Sequence, residues 1–439
     1  MKLPPVPAPA SQAGTVYDVP KSLPILNAVL ILVVLALAFL MAATPVRNGD
    51  FWMHLATGRQ IAQQKYEFGK DPFSYTTSGV YWANHAWLFD WALFQSHRIL
   101  DGTGLVILKG LLMVGLAALL LAFRKSREHF WLAPLFTALV FVVLTPRLLL
   151  QPALVSFVLL GLALWLLWKG YWKWLPLVCA LWVNVDSWFW LGPILVALFW
   201  LGQRPLAGQR TIPVWLAPIC LLACLLNPHH VHAFLNVPVE LSLVPAKSGL
   251  SQDPRFQRAF LSPWELKRYL QTGVGLNPAG ICYFVLFGLS LISLALNRAA
   301  WRDWRLPVWL AFAALGAWQV RTAPFFAIVA GPIAVLNFQE WLSRIPSPKT
   351  DSYRMGVLAA NGRFLLALGL LALGVPVWTG WLQNLHSRGR AVGLNVEPDS
   401  SLQHVAETIG QWRKENRLPA ESHGFAMHPD VANYCAWFC

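Results

Sequence analysis

The sequence predicts an all-α polytopic membrane protein with about eleven transmembrane helices, and its composition leads to this fold class. Of the 439 residues, 56% are hydrophobic and only 12% are charged, whereas about a quarter of the residues in a soluble domain are charged. The mean hydropathy is +0.50, and 24 tryptophans are present. A water-soluble surface could not cover so many apolar side chains, so the composition excludes a soluble globular enzyme.

The excess of basic residues agrees with a membrane location. The formal net charge is +14 at pH 7. In a soluble protein this charge would indicate a nucleic-acid partner, whereas in a membrane protein Lys and Arg collect in cytoplasmic loops. We therefore expect the lipid bilayer as a partner of this chain, and no nucleic acid.

Apolar segments divide the chain into a tail, a transmembrane domain and a C-terminal segment. Residues 1–22 are rich in Pro, Ala and Ser, which predicts a disordered cytoplasmic tail. Leu23 to Ala43 is almost uncharged and, at about 1.5 Å per residue, is long enough to cross the hydrocarbon core. Comparable segments complete a transmembrane domain at 23–382; they lie at 105–123, 130–145, 152–168, 174–186, 188–202, 212–226, 279–297, 306–320, 322–338 and 364–382.

The basic residues predict which helix ends face the cytoplasm. With the tail inside, the short inward loops carry most of the Lys and Arg residues, as the positive-inside rule requires. These residues are Arg124, Lys125, Arg127, Lys169, Lys173, Arg204, Arg210, Arg298, Arg302, Arg305, Arg344, Lys349, Arg354 and Arg363. Two long loops, 44–104 and 227–278, then face outward together with residues 383–439. Loops this long usually have a role, so we expect the functional site on the outer face.

Residues 383–439 have the composition of a small extracytoplasmic domain. The stretch SLQHVAETIGQWRKENRL places Leu402, Val405 and Ile409 at helical spacing. The segment stops abruptly at ANYCAWFC, so we expect that the sequence truncates a longer natural domain.

The most informative stretch follows the first predicted span. It reads NGDFWMHLATGRQIAQQKYEFGKDPFSYTTSGVYWANHAWLFDW from Asn48 to Trp91. The acid before Phe-Trp-x-His-Leu-x-x-Gly-Arg, then Asp-Pro-Phe-Ser-Tyr-Thr, then Trp and His before Trp-Leu-Phe, resembles bacterial membrane proteins of the GT-C glycosyltransferase superfamily, those related to polyprenyl- or dolichyl-phosphate-sugar mannosyltransferases. Shorter matches at TPRLLLQPALVSF and QVRTAPFFAIVAGP extend the resemblance over the transmembrane domain.

The resemblance implies a GT-C-like fold and a hexosyltransferase activity in the cell envelope. A polyprenyl-phosphate-linked sugar would be the donor, and a glycan, lipid or protein on the extracytoplasmic face would be the acceptor. The chain would be a multi-pass protein of the bacterial inner membrane. Two alternatives remain open: a lipid or solute transporter or flippase, and a catalytically inactive scaffold on the GT-C fold.

The resemblance also implies a catalytic acid in the first outer loop, and that acid maps onto Asp50. Many superfamily members carry a second acid nearby, but here position 48 is Asn and position 51 is Phe. Asp186, in VNVDSWF, is a possible second acid from another loop, and Asp71 is a weaker one because Asp before Pro is favoured in turns. A divalent metal, Mg²⁺ or Mn²⁺, is a possible cofactor, with Asp50, His54 and Asp186 as possible ligands.

The chemistry of sugar transfer independently favours Asp50. Displacing a phosphate from an anomeric carbon needs a group that accepts the proton of the attacking hydroxyl. His54 lies four residues after Asp50, hence on the same helix face, where it could relay a proton or bind phosphate. Structural roles compete with both interpretations. Asn48 would make a helix N-cap with Asp50 in the first turn, and His54 could pack at the bilayer surface.

Cationic and aromatic residues on the outer side are candidates for substrate binding. Arg147 and Arg321 lie at short outward junctions, against the charge bias, and with Arg59 they are candidates for the donor phosphate; snorkelling to lipid headgroups is the alternative. Four further residues could contact substrate, although an interfacial aromatic belt explains most such residues; they are Trp52, Trp82, His85 and Trp188.

Overall fold

The computed structural model describes residues 22–76, 79–126, 128–203, 211–235, 260–272, 275–345, 352–383, 392–419, 422–426 and 428–439. The predicted tail up to residue 21 and residues 236–259 of the second long loop lie outside this part of the chain. So do four of the basic residues on which the topology rests, namely Arg127, Arg204, Arg210 and Lys349.

Within the described part, the protein is a helical bundle with one short hairpin. The helices are α1 Ser22–Ala42, α2 Asp50–Ala62, α3 Trp87–Leu121, α4 Leu132–Leu144, α5 Pro152–Lys169, α6 Leu175–Trp182, α7 Leu191–Gly202, α8 Leu216–Ala223, α9 His232–Leu235, α10 Leu266–Leu270, α11 Pro278–Leu296, α12 Arg305–Trp318, α13 Ala323–Leu342, α14 Ser352–Trp378, α15 Ser400–Lys414 and α16 Pro429–Phe438. Strands β1 Gln271–Thr272 and β2 Gly275–Leu276 pair antiparallel.

Six of the described helices are long and apolar enough to cross a membrane, which indicates a multi-pass membrane protein. They correspond to α1, α3, α5, α11, α13 and α14. Each of the eleven apolar segments identified in the sequence contains a helix. However, α4, α7 and α12 are shorter, and α6 and α8 have only eight residues each. The count of eleven spans therefore stays a prediction.

Local sequence signals explain where individual helices begin and end. Pro152 opens α5, where its missing N–H costs no hydrogen bond, and Gly170 ends it in the left-handed conformation with φ 77°. Helix α13 is the central element, buried along nearly its whole length between α4, α11 and α12. Gly331 allows its close approach to α4, because a Cβ there would lie 2.6 Å from Val140 Cγ2.

Much of the first long loop, 44–104, is helical. Helix α2 agrees with the helix expected at Asp50, whereas α3 begins at Trp87 rather than near 105, which the sequence did not predict. The backbone of α3 breaks at Asp101, with φ 57° and ψ −172°, which separates an outer helix from the membrane-spanning part. The outer helix forms because its apolar face packs on α2; the buried residues that join the two are Phe51, Leu55, Phe89 and Leu93.

The C-terminal segment returns to the beginning of α2. Val46 and Val396 form a parallel bridge, in which the Val46 amide donates to the Asn395 carbonyl at 3.0 Å and the Glu397 amide donates to the Val46 carbonyl at 2.9 Å. Arg47 and Glu397 form an ion pair beside it. Helix α16 then packs across α2. The first outer loop and the C-terminal segment therefore form one assembly.

A polar cluster joins the C-terminal end of α13 to the segment that follows α3. The buried Arg305 guanidinium binds both carboxylate oxygens of Glu340, with Nη1–Oε2 2.8 Å and Nη2–Oε1 2.7 Å. Lys125 also pairs with Glu340, and the Asn297 amide donates to the same carboxylate at 2.7 Å. These contacts join the end of α13 to α11, α12 and the segment after α3.

Candidate functional site

His54 and Asp90 form a buried pair where α2 crosses α3. The His54 Nδ1 and Asp90 Oδ1 atoms are 2.6 Å apart, and the side chains are 12% and 2% exposed. The Asn84 amide donates to the other carboxylate oxygen, Oδ2, at 2.8 Å. Gly58 allows the two helices to meet, because a Cβ there would lie 2.1 Å from the Asp90 carbonyl oxygen. The pair therefore depends on a glycine one turn further along α2.

Asp50 lies in the first turn of α2, on the same side as His54. The Asn48 amide donates to Asp50 Oδ1 at 2.6 Å and to the Leu150 carbonyl at 3.2 Å. Asn48 is not the N-cap that the alternative interpretation required; Gly49 occupies that position and has no side chain to cap the helix. Instead, Asn48 holds the Asp50 carboxylate and ties it to the residues before α5. The Asp430 carboxylate of α16 packs directly against Gly49.

Asp186 is buried near this pair and begins a short helix at Ser187–Trp190. Its carboxylate accepts hydrogen bonds from the Ser187 amide at 2.8 Å and from the Ser156 hydroxyl at 2.5 Å. Trp182 in turn donates to the Ser156 hydroxyl at 2.7 Å. Asp186 therefore reaches the site from the α6–α7 connection, as a carboxylate contributed by a different loop.

Three carboxylates act on the His54 imidazole. Burial by itself lowers the pKa of His54, but the nearby charges of Asp90, Asp50 and Asp186 favour the protonated ring. The hydrogen bond to Asp90 acts in the same direction. The result is a His54 pKa raised above its ordinary value of 6.5. The site therefore contains a histidine that is a stronger base than a free imidazole.

The two candidate arginines, Arg147 and Arg321, are related to residues 260–272 of the second long loop. Arg147 follows α4 and lies within electrostatic reach of Tyr269 on α10. Arg321 donates through Nε to Gln319 Oε1 at 2.5 Å, and its Cζ lies 5.2 Å from the centre of the Phe260 ring. Residues 260–272 thus contact the Arg321 guanidinium and lie within electrostatic reach of Arg147. Arg147 is also three residues before Leu150, whose carbonyl holds Asn48.

Trp52 and Arg59 both face the C-terminal helix. The Trp52 ring packs on Phe438 at 4.9 Å and on Tyr434 at 5.6 Å, measured between ring centres. The Arg59 guanidinium lies 4.5 Å from the centre of the Trp437 ring and donates to the Ala436 carbonyl. Both side chains are therefore engaged by α16, and the structure does not bring Arg59 together with Arg147 and Arg321 by any described contact.

The remaining candidates occupy separate positions. Trp188 is buried against Phe325 at 4.8 Å between ring centres. His85 is buried, and its Nε2 is 2.8 Å from the Ala233 carbonyl oxygen. Trp82 is 46% exposed. Asp71 accepts a hydrogen bond from the Phe73 amide at 2.9 Å, the local turn contact that Asp-Pro favours.

The histidine cluster after Asn227 joins the two long outer loops. His229 Nε2 lies 3.2 Å from the Asn84 carbonyl oxygen, so Nε2 carries the hydrogen and Nδ1 accepts from the Tyr81 hydroxyl at 3.0 Å. The Tyr81 ring stacks on His232 at 4.0 Å. Burial and the neighbouring histidines lower the pKa of His229 from 6.5 to about 4. These histidines pack the loops together.

The described residues contain no group of three or more His, Cys, Asp or Glu side chains placed to hold a metal ion. Asp186, a possible ligand, has its carboxylate hydrogen-bonded to Ser156 and Ser187. The described residues therefore do not form the three-ligand set that Asp50, His54 and Asp186 would supply to a divalent metal.

The sequence pattern alone does not identify the roles of Asp90 and Asn84 in this site. Asp90 lies 36 positions from His54, and no local pattern joins the two residues. One signal was present: an acid within the apolar run WLFDWALF needs a buried partner if that run packs against protein.

The fold of this apolar bundle is similar to that of a solved oligosaccharyltransferase. The chain is similar to the oligosaccharyltransferase AglB of Archaeoglobus fulgidus. In the apo form of that enzyme the identity is 13% and the TM-score 0.52, with 93% of this chain and 64% of that chain covered. In its complex with an inhibitory peptide and a dolichol-phosphate the identity is 12% and the TM-score 0.55, with 93% and 63% covered.

This likeness establishes the fold and not the function of individual residues. The chain spans less than two thirds of the length of the oligosaccharyltransferase that it matches. No protein-family model matches the sequence, and no curated protein sequence is significantly similar to it.

Proposed function

We propose that the protein is a membrane glycosyltransferase that moves a sugar from a polyprenyl-phosphate-linked donor to an acceptor on the extracytoplasmic face of the bacterial inner membrane. The observation that carries this proposal is the convergence of Asp50, the His54–Asp90 pair and Asp186 at the end of a GT-C bundle. A dolichol-phosphate bound to the AglB structure supports the choice of a lipid-linked donor.

The residues at the site can divide the chemistry between them. In the proposed reaction, the acceptor oxygen forms a bond to the anomeric carbon while the bond from that carbon to the phosphate oxygen breaks, and the bonding electrons leave with the phosphate. Asp50 orients the acceptor hydroxyl, and His54 Nε2 receives its proton. Arg147 and Arg321 stabilise the charge on the leaving phosphate.

A transporter would carry charged residues within its apolar segments, and Lys109 is such a residue. In the structure Lys109 is 1% exposed, and its Nζ donates to the Thr44 carbonyl at 2.9 Å and to the Thr44 hydroxyl at 3.2 Å. Lys109 therefore satisfies the backbone at the end of α1, which is a structural role.

The proposal can be tested with purified protein in lipid nanodiscs. The donors would be undecaprenyl-phosphate mannose and undecaprenyl-pyrophosphate N-acetylglucosamine, each labelled in the sugar, and the acceptors would be extracted from bacterial envelopes. We expect sugar to move from one of these donors to an envelope acceptor, and we expect the transfer to be lost in the double variant Arg147→Gln, Arg321→Gln. Retention of the label on both lipid donors would contradict the proposal and favour the inactive scaffold.

A further inference from the structure

The donor and the acceptor of each hydrogen bond around Asp90 can be assigned, starting from a backbone amide. The Ala86 amide donates to Asn84 Oδ1 at 2.9 Å. A backbone N–H can only donate, so this contact fixes the orientation of the Asn84 side chain. The Asn84 NH₂ group must then face Asp90 Oδ2, to which it donates at 2.8 Å.

The same logic assigns the hydrogen on the His54 ring. Ionised Asp90 can only accept, so His54 Nδ1, at 2.6 Å, must donate to it. In the neutral ring the hydrogen then lies on Nδ1, and Nε2 carries a lone pair. Nε2 has no hydrogen-bond partner among the residues that the structure describes.

We propose that Asp90, oriented by Asn84, is a positioning residue that keeps the hydrogen of the His54 ring on Nδ1 and leaves the Nε2 lone pair free to accept a proton. This inference rests on the proposed function for its catalytic meaning. Asp90 does not touch the substrate; it acts by selecting one tautomer and one orientation of His54. The raised pKa of His54 agrees with this arrangement, because the carboxylate stabilises the protonated ring formed after transfer.

The position of α3 makes this support rigid. The Trp87 indole donates to Asn184 Oδ1 at 2.8 Å, and the Leu88 amide donates to the Asn184 carbonyl at 3.0 Å. The first turn of α3, which carries Asp90, is therefore anchored to the end of α6. A ring held from such an anchored turn keeps its orientation when a substrate enters.

The substitution Asp90→Asn tests the proposal sharply. His54 Nδ1–H and the Asn84 NH₂ both donate toward position 90, and an amide offers one acceptor oxygen where the carboxylate offered two. The Asn84 NH₂ is fixed by the Ala86 amide, so the oxygen of the new amide accepts from Asn84 and its NH₂ group faces His54 Nδ1. His54 Nδ1 must then accept, which places the ring hydrogen on Nε2. We expect the rate of sugar transfer to fall about 100-fold or more, with the KM for the lipid donor changed only a few-fold.

The tautomer can be measured independently of activity. Solid-state NMR of ¹⁵N-histidine-labelled protein in bilayers, at a pH well above the His54 pKa, distinguishes protonated from unprotonated ring nitrogens, and the His54 signals are those lost in His54→Gln. We expect hydrogen on Nδ1 in the wild-type protein and a shift toward hydrogen on Nε2 in Asp90→Asn. The matched control is Asp101→Asn, an exposed acid on the same helix, which should change neither quantity.

The outcomes separate this inference from the proposed function. Hydrogen on Nε2 of His54 in the wild-type protein would overturn the positioning role, and this result needs no variant to fold. A normal transfer rate in folded Asp90→Asn would also overturn it. If the wild-type protein shows the expected tautomer but transfers no sugar from either donor, the proposed function fails while the geometry assigned to Asp90 stands.

Discussion

At the scale of single residues, Asp50 carries the most direct prediction. The substitution Asp50→Asn keeps an oxygen that can accept from Asn48, so the structural change is small. The loss of a charge in the first turn of α2 costs less than about 1 kcal/mol. If Asp50 orients the acceptor, sugar transfer should fall by about two orders of magnitude or more.

The measurement is the transfer rate from labelled undecaprenyl-phosphate mannose at equal protein concentration. Asp399→Asn is the matched control, because Asp399 caps α15 and Asn caps helices equally well. A near-normal rate in Asp50→Asn would remove Asp50 from the mechanism and shift attention to Asp186.

At the scale of helices, the crossing of α2 and α3 depends on Gly58. In Gly58→Ala the new Cβ would lie 2.1 Å from the Asp90 carbonyl oxygen and 2.7 Å from Phe94 Cβ. Backbone atoms cannot move aside cheaply, so the helices must separate and the His54–Asp90 contact must lengthen. We expect a loss of about 1–3 kcal/mol in stability and of most of the transfer activity.

Thermal unfolding in detergent checks this loss. Gly115→Ala is the matched control on α3, since nothing lies within 4 Å of its added Cβ, and Ala is the better helix former by about 1 kcal/mol. If both variants unfolded at the wild-type temperature, the close crossing of the two helices would be refuted.

The junction of the two long loops should weaken in acid. The pKa of folded His229 is about 4, below the ordinary 6.5, so the separated loops bind the proton first as the pH falls. The junction therefore has its full stability above about pH 6.5 and loses it progressively toward pH 4.

Hydrogen exchange, corrected for intrinsic rates, measures this effect. Residues 79–85 and 228–235 should lose protection as the pH is lowered through this window, while helix α5 should not. Equal protection of the junction at neutral and acidic pH would contradict the predicted loss of stability in acid.

Part of this helical architecture could be predicted from the sequence, because a long apolar segment must lie in the membrane or in the protein interior, where a helix satisfies its backbone hydrogen bonds. Leu23 to Ala43 contains α1, and 152–168 matches α5. The helix that begins at Trp87 in this loop was missed, since its apolar face packs on α2, a partner that only the fold supplies. The Asp90 contact was missed for the same physical reason: sequence spacing describes one helix and not the crossing of two.

At the scale of the whole molecule, the pairing of Val46 with Val396 requires the first loop and the C-terminal segment to lie on one side of the membrane. We expect cysteines at Lys65 and Glu407, both exposed, to react with an impermeant reagent in intact cells. A cysteine at the exposed Arg344 should react only after permeabilisation.

These labelling experiments need a background in which the native cysteines are replaced by serine. Opposite accessibility of positions 65 and 407 would contradict the paired arrangement, and outside accessibility of position 344 would contradict the topology.

The return of the C-terminal segment to α2 also has a consequence for biosynthesis. Arg47 and Glu397 are separated by 350 residues, which a ribosome adds in roughly 20 to 70 s. During that interval α2 is present without α16, and the face of Trp52 that later meets Phe438 is uncovered. The site therefore reaches its final form only after the C-terminal segment has been synthesised and has packed on α2.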